Sequence, residues 1–211
     1  MLSDAILSAA TGAPAARAAR WGAAYRTACL EFGINTPKRL ACFFGQLSHE
    51  SNALSRTEEN LNYSAPRLVE VFDKYFDSQT SQQFARKPEL IASRVYAGRN
   101  GNGSEASRDG WEFRGRTHVQ LTFRNNYRNI GRIVGVDIEA NPALALDIPT
   151  AARIAAAYWQ DAGLNALADQ FDVLAIGRKI NIGNTKTTRL PNGHADRIAC
   201  TQRAAAALGV R

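Results

Sequence analysis

Two acidic positions in this sequence combine residue types and surroundings that suit acid–base chemistry. Glu50 lies near the end of a predicted helix over 38–54, at the edge of the stripe formed by the apolar residues of that helix. Apolar surroundings favour the protonated form of a carboxyl group, which a general acid needs near neutral pH. The alternative is a glutamate that reaches solvent or pairs with an arginine at the helix end.

A second carboxylate follows in the next loop, at Glu58 or Glu59. A short loop can return one of these residues across a cleft from Glu50. Glycosidic bonds are cleaved by a pair of carboxyl groups, one in apolar and one in polar, hydrated surroundings. The first protonates the leaving oxygen, and the second activates water or attacks the sugar. The spacing leaves open whether the anomeric configuration is inverted or retained.

Clusters of amide and hydroxyl residues follow, and these groups suit sugar hydroxyls and N-acetyl groups. Gln120 and Thr122 alternate with apolar residues, which predicts that they share one face of a strand. Asn126 comes shortly after, and Asn181 lies beside Gly183. Asparagine near glycine is also typical of simple turns, so each cluster alone indicates little.

The elements that must position these residues are predicted to be mostly helical. Caps and apolar periodicity predict a loop over 97–112, a short extended or hairpin segment over 113–123, and helices over 15–32, 38–54, 64–76, 125–134, 149–161, 170–181 and 195–208. The chain therefore has one small β element between two helical groups.

Composition limits the partners. The 211 residues include 26 Lys and Arg against 19 Asp and Glu, a net charge of +7, which favours an anionic partner. The arginines are scattered and aromatic residues do not alternate with them, so a nucleic-acid-binding module is not expected. An apolar content of 45% indicates a folded protein with a core, of one domain or two small lobes.

Cysteine and histidine give no sign of a disulfide framework or a metal site. Cys29, Cys42 and Cys200 are far apart and are predicted to be small buried residues. The three histidines lack metal-ligand spacing, so we expect no metal and no cofactor, with His49 supporting the catalytic loop. No apolar run approaches the ~20 residues of a membrane span, and the N-terminal segment does not resemble a signal peptide.

Several short motifs occur in order between residues 48 and 198. They read SHES (48–51), RTEENLNYS (56–64), YAGR (96–99), GWEFRGR (110–116), VQLT (119–122), NNY (125–127), IN (180–181) and ADRI (195–198). Together they resemble glycoside hydrolase family 19, the family of plant-type chitinases and many phage endolysins. The loop over 56–64 is similar to the endolysin branch.

The resemblance implies a mainly α, lysozyme-like α+β fold with two helical lobes around a substrate cleft. It implies that Glu50 is the general acid and that Glu59, rather than Glu58, is the general base of an inverting reaction. Thr122 matches the hydroxyl residue that helps to hold the attacking water. Arg197 matches an arginine near the acid pair.

The resemblance also assigns substrate contacts and shows departures from the family pattern. Gln120, Asn126, Asn181 and Tyr96 match substrate-binding positions. Two glycines commonly follow the His-Glu-Ser motif, and here they are replaced by Asn52-Ala53. Thr117 and Ile182 stand where glycine is usual, and the loop over 184–194 is longer than the family version. These departures affect the subsites more than the catalytic pair.

We therefore expect 1–211 to be a single catalytic domain without a separate wall-binding module, acting as a monomer on peptidoglycan glycan strands. The expected cut is between N-acetylmuramic acid and N-acetylglucosamine. The enzyme would be of phage or prophage type, made in the bacterial cytoplasm and acting on the wall after release or export, without stable membrane insertion. Chitinase is the nearest alternative, and lytic transglycosylase a further one.

Overall fold

The computed structural model describes residues 2–210, and 61% of the chain is helical, which confirms the mainly α prediction. Within this range no helix combines the length and apolar character that crossing a membrane requires. The helices are α1 (Asp4–Thr11), α2 (Ala15–Glu31), α3 (Pro37–Ser51), α4 (Ala65–Val71), α5 (Thr80–Phe84), α6 (Pro88–Val95), α7 (Asp109–Glu112), α8 (Arg124–Val134), α9 (Ile148–Asp161), α10 (Leu164–Asp169), α11 (Val173–Ile182) and α12 (His194–Ala207), with 3-10 turns at Glu105–Ser107 and Pro142–Leu146.

The chain divides into two compact units. The first comprises Met1–Thr57, Thr117–Val119 and Leu146–Arg211, and the second comprises Glu58–Arg116 and Gln120–Ala145. Each unit is therefore assembled from more than one stretch of sequence. Residues 117–119 are the short segment in which the chain leaves the second unit and returns to it.

Helix α3 runs through the core of the first unit. The Thr36 side chain accepts a hydrogen bond from the Arg39 N–H (3.3 Å) and Pro37 occupies the first turn, so the predicted start is confirmed. Phe43 and Phe44 are fully buried, as the predicted apolar stripe requires. The helix ends at Ser51, earlier than predicted.

Helix α12 packs closely against α3 because Gly45 has no side chain. A Cβ atom at Gly45 would lie 2.6 Å from Thr201 Cα, a distance that real Cβ atoms do not adopt. The close approach brings the first turn of α12, which carries Arg197, beside the last turns of α3.

The second unit has its own apolar core beneath α4 and α6. Tyr63, Tyr96 and Trp111 pack against this core while remaining partly exposed. Aromatic rings are thus available at its margin. The buried members are Leu61, Leu68, Phe76, Ile91, Ala92 and Val95.

The predicted β element is smaller than expected. The described residues contain only two isolated antiparallel bridges there, Glu58 with Arg116 and Arg116 with Leu121. Arg116 and Leu121 exchange both backbone hydrogen bonds (3.1 and 2.8 Å) and so close a loop over 117–120. Gln120 has φ +52° in this loop, so the prediction that it shares a strand face with Thr122 is wrong.

Other differences concern short elements. The helix predicted over 64–76 ends at Val71, and the predicted loop over 97–112 contains a 3-10 turn and α7. The short helices α1, α5, α6 and α10 were not predicted, because so few residues give a weak periodic signal.

The three cysteines are buried and unpaired, as predicted. Burial raises the pKa of the Cys42 thiol to about 12 and that of Cys29 well above its usual value. Both thiols therefore stay protonated and behave as small apolar side chains.

Candidate active site

Glu50 lies in the last turn of α3, and its side chain is 23% exposed. Its Oε1 atom accepts a hydrogen bond from Arg197 Nη2 at 2.6 Å. The sequence leaves two surroundings open for Glu50, an apolar one or a pairing with an arginine. The structure shows the pairing with an arginine. The carboxylate is reachable from solvent and fixed on one side.

Arg197 is 1% exposed, and three different acceptors hold its guanidinium group. Nη1 donates to Gln46 Oε1 (2.7 Å), Nε donates to the Asn192 carbonyl (2.9 Å), and Nη2 donates to Glu50. A buried cation is tolerated when its donors are satisfied in this way. Arg197 therefore has a fixed position from which it orients Glu50.

His49 joins α3 to the start of α12. Its Nδ1 atom lies 2.6 Å from Asp196 Oδ2, and hydrogen bonding from His49 is the main cause that lowers the pKa of Asp196. Gly193, at φ +66°, leaves no room for a side chain, since a Cβ atom there would lie 2.3 Å from His49 Cε1. These contacts support the predicted role of His49 in holding the site rather than moving protons.

Asn181 is exposed near the end of α11. Its Oδ1 atom accepts a hydrogen bond from the Asn192 N–H at 2.9 Å. Asn192 in turn accepts from Arg197, so Asn181 belongs to the same group as Glu50. Sequence reasoning missed Gln46, which belongs to this group, and Asp196, which pairs with His49.

Glu59 is half-buried in the second unit, and neutral groups hold its carboxylate. Oε1 accepts from the Tyr96 hydroxyl (2.6 Å), and Oε2 accepts from the Gly115 N–H (3.3 Å). The Glu59 N–H donates to the Gly115 carbonyl at 2.9 Å. Burial and the charge of Glu59 raise the pKa of Tyr96 well above its usual value, so its hydroxyl remains a donor.

Glu58 has a different environment. Its Oε1 atom accepts from Arg114 Nη2 (2.6 Å) and from Arg116 Nε (3.2 Å). Arg116 is buried and also donates to the Glu112 carbonyl at 2.6 Å. Glu58 therefore neutralises two arginines of the second unit.

Gly115 brings Gln120 and Glu59 together. A Cβ atom at Gly115 would lie 2.6 Å from Gln120 Oε1 and 3.4 Å from Glu59 Cβ. The Thr122 hydroxyl donates to the Gln120 carbonyl (2.8 Å), and the Asn126 amide donates to the Thr122 carbonyl (2.8 Å). The structure thus gathers these predicted residues around one turn.

The predicted residues form two groups, one in each unit. The first contains Glu50, Arg197 and Asn181, and the second contains Glu59, Tyr96, Gln120, Thr122 and Asn126. In the part of the chain that the structure describes, no three His, Cys, Asp or Glu side chains are grouped as metal ligands. Sequence reasoning also did not select Tyr63 as a site residue. Burial and the charge of Glu59 raise the pKa of the Tyr63 hydroxyl.

Comparison with known proteins identifies the family. No family model matches the chain. A protein from Haemophilus influenzae, named a glycosyl hydrolase family 19 domain-containing protein, is 42% identical over 144 residues, which are 68% of this chain and 70% of that protein. The chain belongs to glycosyl hydrolase family 19. It is therefore a glycoside hydrolase, and the predicted enzyme class is confirmed.

Solved structures of this family share the fold. A bacterial family 19 chitinase superposes with a TM-score of 0.59 at 21% identity, covering 100% of this chain and 96% of the chitinase. Chitinase C from Streptomyces griseus superposes with a TM-score of 0.58 at 18% identity, covering 99% and 76%. The lysozyme-like, mainly α fold predicted for this family 19 protein is confirmed.

Proposed function

We propose that this family 19 enzyme is an endolysin-type lysozyme. It hydrolyses the β-1,4 bond between N-acetylmuramic acid and N-acetylglucosamine in peptidoglycan, with inversion. It acts as a monomer on the cell wall after release or export. The observation that carries the proposed chemistry is the contrast between Glu58, paired with two arginines, and Glu59, held by neutral donors, and the net charge of +7 supports an anionic substrate.

Glu50 is the proposed general acid. Arg197 holds its Oε1 atom, and we assign proton donation to Oε2. The side chain is exposed enough for a glycan to reach it. A proton from Glu50 neutralises the leaving oxygen as the glycosidic bond breaks.

Glu59 is the proposed general base. A carboxylate that accepts from Tyr96 and a backbone N–H can take a proton without breaking an ion pair. Glu58 would have to leave Arg114 and Arg116 to do the same. This difference supports the choice of Glu59, and the water that it activates attacks the anomeric carbon with inversion.

Thr122 is the proposed second contact of the water. Its hydroxyl proton is committed to the Gln120 carbonyl, so the oxygen lone pairs can accept a hydrogen bond from a water that Glu59 deprotonates. The Asn126 amide supports the same turn by donating to Thr122. Two acceptors orient the water and leave an oxygen lone pair for attack.

Chitin is the second candidate substrate, because both solved structures compared above are chitinases. Chitin is uncharged, whereas the bacterial wall is anionic. The net charge of +7 supports a charged substrate. The sugar-binding chemistry alone fits both polymers.

The test is incubation of the enzyme with purified sacculi and, separately, with colloidal chitin. We expect soluble muropeptides with reducing muramic acid ends from sacculi, identified by mass spectrometry, and far slower release from chitin. Anhydro muramic acid ends would identify a lytic transglycosylase instead. Proton NMR of the first product should show the α-anomer if the reaction inverts.

A further inference from the structure

The loop over 184–190, here named the basic loop, lies between α11 and α12 in the first unit. Arg178 of α11 binds the backbone of this loop: Nε donates to the Arg189 carbonyl (3.0 Å) and Nη2 donates to the Thr188 carbonyl (3.2 Å). The Lys186 N–H donates to Asn184 Oδ1 at 2.9 Å. The loop thus has a defined backbone, while Lys186 and Arg189 are exposed.

The end of the basic loop leads directly into the Glu50 group. Asn192 accepts from Arg197, the residue that holds Glu50. Gly193 packs against the ring of His49, the neighbour of Glu50 in α3. The basic loop is therefore followed within a few residues by the segment that contacts the partners of Glu50.

The charged residues of this segment have one sign. Residues 173–195 contain Arg178, Lys179, Lys186 and Arg189 but no Asp or Glu. Among residues 2–210, no carboxylate lies within ion-pair distance of any of these four side chains. Lys186 and Arg189 are exposed, and threonine hydroxyls lie between them.

A pair of exposed cations in the loop that leads to the Glu50 group matches a glycan that carries carboxylates. Chitin has none, whereas the muramic acid of peptidoglycan carries a peptide with free carboxylates. We infer that the basic loop selects peptidoglycan, with Lys186 and Arg189 binding carboxylates of the stem peptide. The inference rests on the proposed function and adds the part of the enzyme that separates the two substrates.

The test compares the double variant Lys186→Ala/Arg189→Ala with the double variant Lys74→Ala/Lys87→Ala. The control removes the same charge from exposed positions of the second unit. On intact sacculi we expect KM to rise about tenfold for the basic-loop variant and kcat to stay within about twofold, as expected for lost ground-state binding. Added salt should reduce the difference between wild type and variant.

Two further substrates make the result specific. On glycan strands freed of stem peptides by an amidase, which keep only the lactyl carboxylate of muramic acid, and on an uncharged chitin hexamer, the basic-loop variant should match the wild type. An equal loss on either of these substrates, which lack stem-peptide carboxylates, or no difference from the control variant on sacculi, would overturn the inference. Wild-type enzyme that cleaves chitin but not sacculi would instead overturn the proposed function, and the inference with it.

Discussion

The two carboxylates proposed for catalysis are held by opposite means in the two units. In the first unit, a buried guanidinium group with two further acceptors fixes Glu50. In the second unit, a tyrosine hydroxyl and a backbone N–H hold Glu59, while Glu58 takes the neighbouring arginines. The comparison teaches that two adjacent acidic residues can have different roles. Glu58 neutralises the arginines, and Glu59 therefore stays free of an ion pair and available as the proposed base.

The largest expected effect comes from Glu50→Gln. Proton donation is lost while side-chain volume is kept, so kcat on sacculi should fall about 1,000-fold, within the range of general acid catalysis. Turbidity loss and released reducing ends measure it.

Thermal unfolding is the control for Glu50→Gln. The amide oxygen can still accept from Arg197, so we expect the free energy of unfolding to fall by no more than about 2 kcal/mol. A variant that keeps a tenth of the wild-type activity would show that the proton donor is another group.

The next effect separates Glu59 from Glu58. Glu59→Gln should lower kcat about 100-fold or more with little change in stability. The amide oxygen can still accept from the Gly115 N–H, and the amide NH2 group can donate to the Tyr96 hydroxyl oxygen. Activity on sacculi and chemical denaturation are measured on the same preparations.

Glu58→Gln is the matched variant, and we expect the opposite profile. Activity should stay within about threefold of wild type, while the free energy of unfolding falls by about 1–2 kcal/mol because Arg114 and Arg116 lose their counter-charge. If Glu58→Gln is the more damaging to activity, the assignment of the base is reversed.

A smaller effect concerns the stability of the protein at low pH, and it depends on His118, a buried residue of the first unit. His118 is buried between Trp21 and Tyr25, and burial lowers its pKa to about 4, although the backbone of Leu54 opposes the shift. The unfolded chain therefore takes up this proton first as the pH falls. The contribution of neutral His118 to the free energy of unfolding is fully present above about pH 6.5 and declines by about 3 kcal/mol toward pH 4.

His118→Gln should flatten this decline, measured as the free energy of urea unfolding at several pH values. Tyr25→Phe should keep the decline, because burial rather than the 2.5 Å contact between the Tyr25 hydroxyl and Nδ1 is the main cause of the shift. An unchanged slope in His118→Gln would place the titrating group elsewhere.

The sequence predicts the long elements well and the turns poorly. Thr36-Pro37 and the apolar stripe define α3, because capping and periodicity are local properties. The segment over 113–123 has the composition of a strand with a rough alternation, yet Thr117 and Gln120 adopt positive φ. Tertiary packing imposes such angles, and residue type does not reveal them.

The same division applies to the candidate site. Glu50 and Glu59 can be chosen from local pattern and motif order, but their partners are distant in sequence. Gln46 meets Arg197 across 151 positions, and Tyr96 meets Glu59 across 37. A single sequence carries no direct signal of which polar residues will share a buried network.

The smallest predicted effect tests the strain beside Glu50. Ala53 has φ +55° directly after α3, at a position where the family commonly has glycine. Ala53→Gly should therefore raise the free energy of unfolding by about 0.5–1 kcal/mol, because glycine adopts this angle without steric cost. Ala41→Gly, within α3 and fully buried, should lower it by at least about 1 kcal/mol. If Ala53→Gly also destabilises, the chain after Glu50 is held by the alanine methyl group rather than strained by it.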